Sequence, residues 1–245
     1  MSTCRICASV RRWLGIDPEL SCEVLRQSHF DQSNEWERSN SNQDELWWRD
    51  SDRNRALYEE AYACRDADPE AAFRMYLEAA ESGSPTAMES VAWHYYTGTI
   101  VAADFDRAVD YYRRAIGAGS WMATIGYAHL LADHGHFDSC EAVLRDGVSS
   151  DFVPAYFWLA WLRYERSPTR ATCREIRPLL EYAAEKGHPG AKQTLGRLLV
   201  KGKFGILSIP RGLGLLCETM PPVLQHDAAS DDRLKNLALR AARQD

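Results

Sequence analysis

The sequence has no apolar run near the roughly 18 residues that a membrane-spanning helix requires. Its first residues also lack a continuous apolar segment, so we expect no secretory signal. A broad basic face for binding phosphates is not expected, because the net charge of the chain is -6. These absences predict a protein that does not bind nucleic acid and does not insert stably into a membrane.

Cysteine pairs at a recurring spacing are also missing. The chain has seven cysteines, an odd number, and they are scattered along its length. Small secreted domains held by disulfides place their cysteines at regular spacings. We therefore expect a reduced, cytoplasmic protein.

Familiar catalytic motifs are absent as well. The sequence contains no phosphate-binding glycine loop, no nucleophile turn of the G-x-S-x-G type and no H-E-x-x-H zinc motif. Gly212 and Gly214 form only G-x-G after a proline, which is weak as a nucleotide-binding signal. The sequence thus predicts no enzyme, no catalytic residue and no cofactor.

What the sequence does contain is an internal repeat. Four alanines open similar segments at intervals of 36, 32 and 36 residues: Ala87, Ala123, Ala155 and Ala191. A period of this length is typical of stacked helical hairpins. Small residues recur five residues after these alanines and again 28 residues after them, or 24 in the shorter unit that starts at Ala123, where the two helices of a hairpin approach closely. They are Ala92, Ala128, Ala160 and Gly196 in the first helices, and Ala79, Ala115, Gly147 and Ala183 in the second.

These motifs resemble the SEL-one-like repeat, a relative of the tetratricopeptide repeat. The pattern of that family is A-x3-L-G-x2-Y-x2-G, then D-x3-A and an A-A-x-x-G ending. Its first helix is matched by Ala191, Leu195, Gly196, Leu199 and Gly202, and its second by Asp104, Ala108, Tyr112, Ala115 and Gly119. The resemblance covers about residues 53–220 and implies an adaptor for other proteins.

The repeat predicts an all-α fold, a right-handed α-solenoid of about five helical hairpins with a C-terminal capping helix. Asp68 and Ser84, each followed by proline, are typical of helix starts. We expect a tail and polar linker at residues 1–46, the repeat array at 47–220 and the capping helix at 221–245. These boundaries follow from the change in composition and from the extent of the repeat.

The polar stretch from Asp31 to Gln43 has few groups to bury, so we expect it to be mobile. Deleting residues 1–45 is then expected to leave the thermal midpoint of the array nearly unchanged. The alternative is that an apolar residue such as Trp13 or Trp36 packs on the first hairpin as a cap.

By the resemblance, the first helix of each hairpin lines an inner, concave face. Several positions that its core does not need carry aromatic or charged side chains, which are typical of interface anchors. The candidate partner-binding residues are Glu89, Trp93, Tyr96, His129, Phe157, Trp158, Trp161, Tyr164, Gln193 and Arg197. The alternative is that the tryptophans pack between adjacent hairpins.

The favoured function is a scaffold that binds a protein or peptide on this face. An immunity or inhibitor protein would use the same scaffold. A different class is a metal-binding or redox protein that uses Cys4 and Cys7 or His134 and His136. Because their spacing fits no common zinc signature, we predict no metal ligand.

Overall fold

The computed structural model describes residues 36–219. Within that range the regular secondary structure is helical and no strand occurs. None of the helices in this range is both long and apolar enough to cross a membrane. The predicted capping helix and the tail cysteines Cys4 and Cys7 lie outside the described residues.

Eleven α-helices follow a helical turn at residues 36–39 in this part of the chain. A 3-10 turn, Ile206–Ser208, precedes the last of them. They are α1 (Gln43–Arg49), α2 (Asp52–Cys64), α3 (Pro69–Glu81), α4 (Pro85–Thr97), α5 (Phe105–Gly117), α6 (Trp121–Asp133), α7 (Phe137–Ser149), α8 (Val153–Arg166), α9 (Arg170–Glu185), α10 (Pro189–Val200) and α11 (Ile209–Glu218).

The chain forms two compact units. The first unit is residues 37–162, and the described part of the second is residue 36 with residues 163–219. In the first unit α2 packs on α3, α4 on α5 and α6 on α7, and in the second α10 packs on α11. These pairs are four of the predicted hairpins, and the pairing of α8 with α9 stays a prediction.

Side-chain caps start most of the helices, because the first amides of a helix have no partner within it. Each capping side chain accepts a hydrogen bond from the amide three residues later. The caps are Ser51, Asp68, Ser84, Asp104, Ser120, Thr169 and His188. At α9 the sequence places the cap at Ser167 before Pro168, whereas the structure places it two residues later, at Thr169.

The glycines that end the second helices have backbone angles that other residues rarely adopt. Gly83, Gly119 and Gly187 have φ values of 98°, 95° and 97°. The residue after each glycine donates its backbone N–H to the carbonyl of an alanine five residues earlier. These pairs are Ser84 with Ala79, Ser120 with Ala115, and His188 with Ala183. The recurring A-A-x-x-G ending is therefore a hydrogen-bonded exit that also positions the next cap.

The small residues of the repeat lie at close helix contacts. All four repeat-opening alanines are fully buried. In the first unit, a Cβ atom added to Gly147 would lie 2.7 Å from the Cβ of Ala155. In the second unit, a Cβ atom added to Gly212 would lie 2.7 Å from the Cβ of Leu199 and 2.8 Å from the carbonyl oxygen of Gly196. Larger side chains would force these helices apart.

Candidate functional site

Aromatic side chains on α4, α6 and α8 form one connected group in the first unit. On α4, the rings of Trp93 and Tyr96 lie 5.6 Å apart. On α8, the rings of Trp158 and Trp161 lie 5.7 Å apart. Residues three apart in a helix share a face, so each pair presents one aromatic patch. We call these four residues, together with His129 of α6, the aromatic row.

Helix α6 joins the two ends of the row. The Tyr96 hydroxyl donates a hydrogen bond to the Asp133 carboxylate. One turn earlier on α6, the His129 ring meets the Trp158 ring edge-on at 4.4 Å. Burial, followed by this bond to Asp133, raises the pKa of Tyr96 far above its ordinary value. The row therefore crosses the first helices of three successive repeats without a break.

The two outer tryptophans of the row are exposed. Trp93 keeps 47% of its surface accessible and Trp161 keeps 39%. Phe157 behaves differently, since it is buried and its ring lies 5.1 Å from that of Trp158. Burial within the unit therefore explains an aromatic residue at Phe157, but it does not explain the exposed aromatic side chains of Trp93 and Trp161.

The residues at the centre of the row, Tyr96, His129 and Trp158, are partly buried. Desolvation lowers the pKa of His129, although Glu37 and Asp133 act in the opposite direction. The Nε2 atom of His129 is enclosed and has no hydrogen-bond partner among the described residues. Such a nitrogen resists protonation, because a buried charge without a partner is costly.

Residues 37–46, which we call the inner segment, lie against the same helices. The first anchor of the inner segment is Glu37, which is 1% exposed. Its Oε1 atom accepts a hydrogen bond of 3.0 Å from the indole Nε1 of Trp158. The bond is charge-assisted and shielded from water, so it is among the stronger single contacts of this face.

The second anchor is the side-chain amide of Asn42, which bridges two backbone groups before α6. Its Nδ2 atom donates to the Gly119 carbonyl at 2.6 Å. Its Oδ1 atom accepts from the Trp121 amide at 3.1 Å. Because both polar atoms of the amide are used, this contact selects a carboxamide over a carboxylate or an ammonium group.

The third anchor pairs Gln43 with Glu89 on α4. The Gln43 Nε2 atom lies 3.3 and 3.4 Å from the two carboxylate oxygens, and the Ser120 hydroxyl donates to Glu89 at 3.1 Å. Desolvation raises the pKa of Glu89 despite these two donors. Leu46 ends the inner segment as its one fully buried large apolar side chain, 5% exposed and close to Gly119.

The stretch from Asp31 to Gln43, expected to be a mobile linker, is not free of contacts in its described part, because Glu37, Asn42 and Gln43 make side-chain hydrogen bonds to three helices or their caps. Three of the predicted partner-binding residues, Tyr96, Glu89 and Trp158, also have a hydrogen-bond partner within the chain itself. They are therefore not the free side chains that the prediction assumed, and their role in binding a partner stays a prediction. The rest of the predicted tail lies outside the described residues.

The other three predicted site residues belong to the second unit. Tyr164 is partly buried, and burial raises the pKa of its hydroxyl, with a smaller contribution from Cys173. On α10, Gln193 is partly buried and Arg197 is exposed. Their membership of one partner-binding site stays a prediction.

The second unit also holds a basic cavity of about 350 Å³. Arg177 lies over the Phe204 ring at 5.1 Å and is paired with Glu181 at 3.0 Å. Within residues 36–219, no ion-pair partner accompanies the other cationic side chains that line the cavity. These side chains are Arg170, Arg174 and Lys203.

Comparisons with known proteins agree with this architecture. No protein-family model matches the chain, and no curated protein matches it. Among solved structures, it is similar to a Sel1 repeat protein from Oxalobacter formigenes, with a TM-score of 0.58 and 14% identity over 78% of this chain and 88% of that one. The fold is a Sel1-like repeat fold.

Two further structures share this fold. One is c5321, a protective antigen of uropathogenic Escherichia coli strains with an SLR fold, with a TM-score of 0.58 and 16% identity over 78% of this chain. This chain spans 45% of the length of that antigen. The other is the MamA RS-1 ArsTM double mutant, with a TM-score of 0.51 and 18% identity over 74% of this chain and 99% of that one.

The histidines considered as metal ligands make ordinary contacts in this Sel1-like repeat. His134 bonds the Leu130 carbonyl through Nδ1, and its ring lies 4.6 Å from that of Phe105. The ring of His136 lies 5.4 Å from the same phenylalanine. Within residues 36–219, no three His, Cys, Asp or Glu side chains are grouped as metal ligands.

Sequence reasoning missed the inner segment because its composition is that of a disordered linker. Glu37, Asn42 and Gln43 are polar and follow no repeat spacing, so no periodic signal marks them. The useful signal was the pair of apolar residues at its ends, Trp36 and Leu46. A polar stretch that is bounded by large apolar residues, of which Leu46 is buried and Trp36 is half-buried, can be held against a surface.

Proposed function

We propose that this protein is a protein-binding scaffold and that a partner peptide or helix binds the aromatic row. The observation that carries the proposal is the exposure of Trp93 and Trp161 at the two ends of a row whose centre is packed. Tryptophan offers a large rigid contact area and a polar N–H, so it is typical of binding hot spots.

The geometry supports a ligand that crosses several repeats. The row joins α4, α6 and α8 through Tyr96–Asp133 and His129–Trp158 contacts. A partner that contacts both exposed tryptophans would cover the partly buried centre and exclude water from it. Interfaces are usually organised in this way: a few anchor residues supply most of the binding energy, and weaker contacts around them exclude water.

The test is a selection of peptide ligands from a displayed library against the full chain, followed by titration of the selected peptides. We expect Trp93→Ala and Trp161→Ala each to weaken binding by about 2 kcal/mol, roughly 30-fold. Trp48→Ala is the matched control, since Trp48 is 74% exposed and lies outside the row. Peptides that bind the double variant as tightly as the native chain would show that the row is not the site.

The immunity or inhibitor alternative uses the same row and differs only in the partner. It predicts that the selected peptides resemble a surface segment of one folded toxin. Binding of that toxin to the native chain, with loss of its activity, is the measurement that separates this alternative from an adaptor.

A further inference from the structure

We infer that the inner segment, residues 37–46, is a tethered ligand of the first unit, and that a partner peptide with a carboxylate and, five residues later, a carboxamide displaces it. The inference rests on the proposed function, because it names the chemistry of the partner and the way in which the face is controlled. The positions of the three anchors of the segment support the inference.

The first step is the path of the segment. Glu37 contacts Trp158 on α8, Asn42 contacts the backbone just before α6, and Gln43 contacts Glu89 on α4. The chain therefore visits three successive repeats in reverse order. A ligand crossing the first helices of a repeat array would follow this kind of path, whereas a cap would cover one end of the array.

The second step is the chemistry of the contacts. The carboxylate of Glu37 accepts from an indole N–H, and the amide of Asn42 satisfies one backbone carbonyl and one backbone N–H. The indole N–H, the backbone carbonyl and the backbone N–H that these two side chains bind belong to the face and not to the segment. Any peptide that presents a carboxylate and a carboxamide at the same spacing can satisfy them equally well.

The third step is that the segment can leave. Its polar anchors are hydrogen bonds, and water satisfies the same groups after release, so the net stabilisation that each gives is smaller than the strength of the bond itself. Leu46 is its only buried large apolar side chain, and Arg38, Ser39, Asn40, Asp44 and Glu45 are exposed. A helix of a packed core buries a continuous apolar stripe instead.

The fourth step is the position of the segment relative to the aromatic row. Glu37 bonds the central Trp158, and Glu89 lies one turn before Trp93 on α4. A peptide that takes the place of the segment therefore lies beside both exposed tryptophans. The tethered segment competes with such a peptide at an effective concentration on the order of millimolar.

The experiment uses a fluorescent peptide of residues 36–46 and the full chain. We expect fluorescence anisotropy to show at least tenfold tighter binding to the Glu37→Ala, Asn42→Ala chain than to the native chain, because the altered tether competes less well. An unlabelled peptide with the same two substitutions should fail to compete. Glu45→Ala is the control chain, since Glu45 is exposed and bonds only Arg49 of its own helix.

Hydrogen exchange distinguishes two explanations: release of the inner segment as a displaced ligand, and loss of a cap that stabilises the array. In the doubly substituted chain we expect faster exchange in residues 37–50, with α4 and α6 as protected as in the native chain. Faster hydrogen exchange in α4 and α6 as well would contradict the proposal. In the anisotropy experiment, equal affinity of the peptide for the native and the doubly substituted chain, or no binding to either chain, would also contradict it.

The result can be separated from binding at the two exposed tryptophans of the row, although the row member Trp158 is itself an anchor of the segment. The ring contact described for Trp93 joins it to Tyr96 and not to the inner segment. The Trp93→Ala chain should therefore hold its own segment normally. A failure of the tethered-ligand inference and a failure of the proposed scaffold function can thus be told apart.

Discussion

The two units have the same helical repeat but different side chains at their helix contacts and surfaces. In the first unit, aromatic side chains lie along α4, α6 and α8, and Glu37 of the inner segment accepts the hydrogen bond of the Trp158 indole. In the second unit, α10 and α11 meet through Gly196 and Gly212. The second unit also carries cations that have no ion-pair partner among the described residues.

This difference shows how one repeat can separate stability from recognition. The caps and the glycine exits occur in both units, so they maintain the hairpins whatever the inner side chains are. The side chains that vary between units can then be assigned to binding. Within the described chain, exposed tryptophans on the first helices of the hairpins occur only in the first unit, which is why we favour its face as the candidate site.

The largest effect that we expect in the first unit is from removal of the inner segment. Deleting residues 1–45 removes Glu37, Asn42 and Gln43 and leaves the Trp158 indole and the Glu89 carboxylate uncovered. We expect the free energy of unfolding to fall by roughly 3 kcal/mol, since three anchored side chains are lost. Urea denaturation measures this change, and Glu45→Ala is its control. An unchanged midpoint would restore the linker interpretation.

The repeat itself was predictable because small residues at fixed spacing have a direct steric cause. Ala92, Ala128 and Gly196 lie where helices approach, and the helix bounds follow the Asp-Pro and Ser-Pro starts. The caps at Thr169 and His188 were less visible, since threonine and histidine are weaker signals than serine or aspartate before proline. Local sequence therefore determined most of the hairpins.

The candidate site was only partly predictable, because its contacts join residues far apart in the chain. Tyr96 with Asp133 and Glu37 with Trp158 follow from the stacking of repeats, and no local pattern encodes either pair. The repeat register did place Trp93 and Trp161 on equivalent positions. It could not show which aromatic residues the chain covers with its own inner segment.

The second-largest effect tests the glycine contact of the second unit. A methyl group at Gly212 would meet Leu199 and the backbone of Gly196, whereas a methyl group at Gly214 meets no atom within 4 Å. We expect Gly212→Ala to lower the free energy of unfolding by about 1–3 kcal/mol. Gly214→Ala, on the same helix, should raise it by up to about 1 kcal/mol through helix propensity. Equal effects of the two substitutions in denaturant titrations would contradict the close helix contact.

The pH dependence of stability provides a third test, confined to the first unit. Desolvation lowers the pKa of His129 below 6.5, so the unfolded chain binds a proton more readily and stability falls as pH drops through this range. Desolvation raises the pKa of Glu89 above 4.5, so the folded chain binds the proton more readily and stability falls as pH rises above 4.5.

The two substitutions should therefore change the slope of stability against pH in opposite directions between pH 4.5 and 6.5. His129→Gln is expected to make the rise with pH shallower, and Glu89→Gln to make it steeper, each by at most about 1.4 kcal/mol per pH unit. Denaturant titrations at several pH values measure the slopes. If both variants changed the slope of stability against pH in the same direction, the burial of one of these side chains would be contradicted.

The smallest effect concerns the unpaired cations of the second unit. Arg170 and Arg174 lie one turn apart in the first turns of α9, where like charges repel each other and the helix dipole disfavours cations. We expect Arg174→Gln to raise the free energy of unfolding by about 0.3 kcal/mol at low salt. The matched variant in the first unit, Arg114→Gln, breaks an ion pair with Glu81 and should lower stability instead. Both changes should shrink in 1 M NaCl, because the screening length is then about 3 Å. A gain for Arg174→Gln that persists at high salt would mean that packing, and not charge, distinguishes the two units.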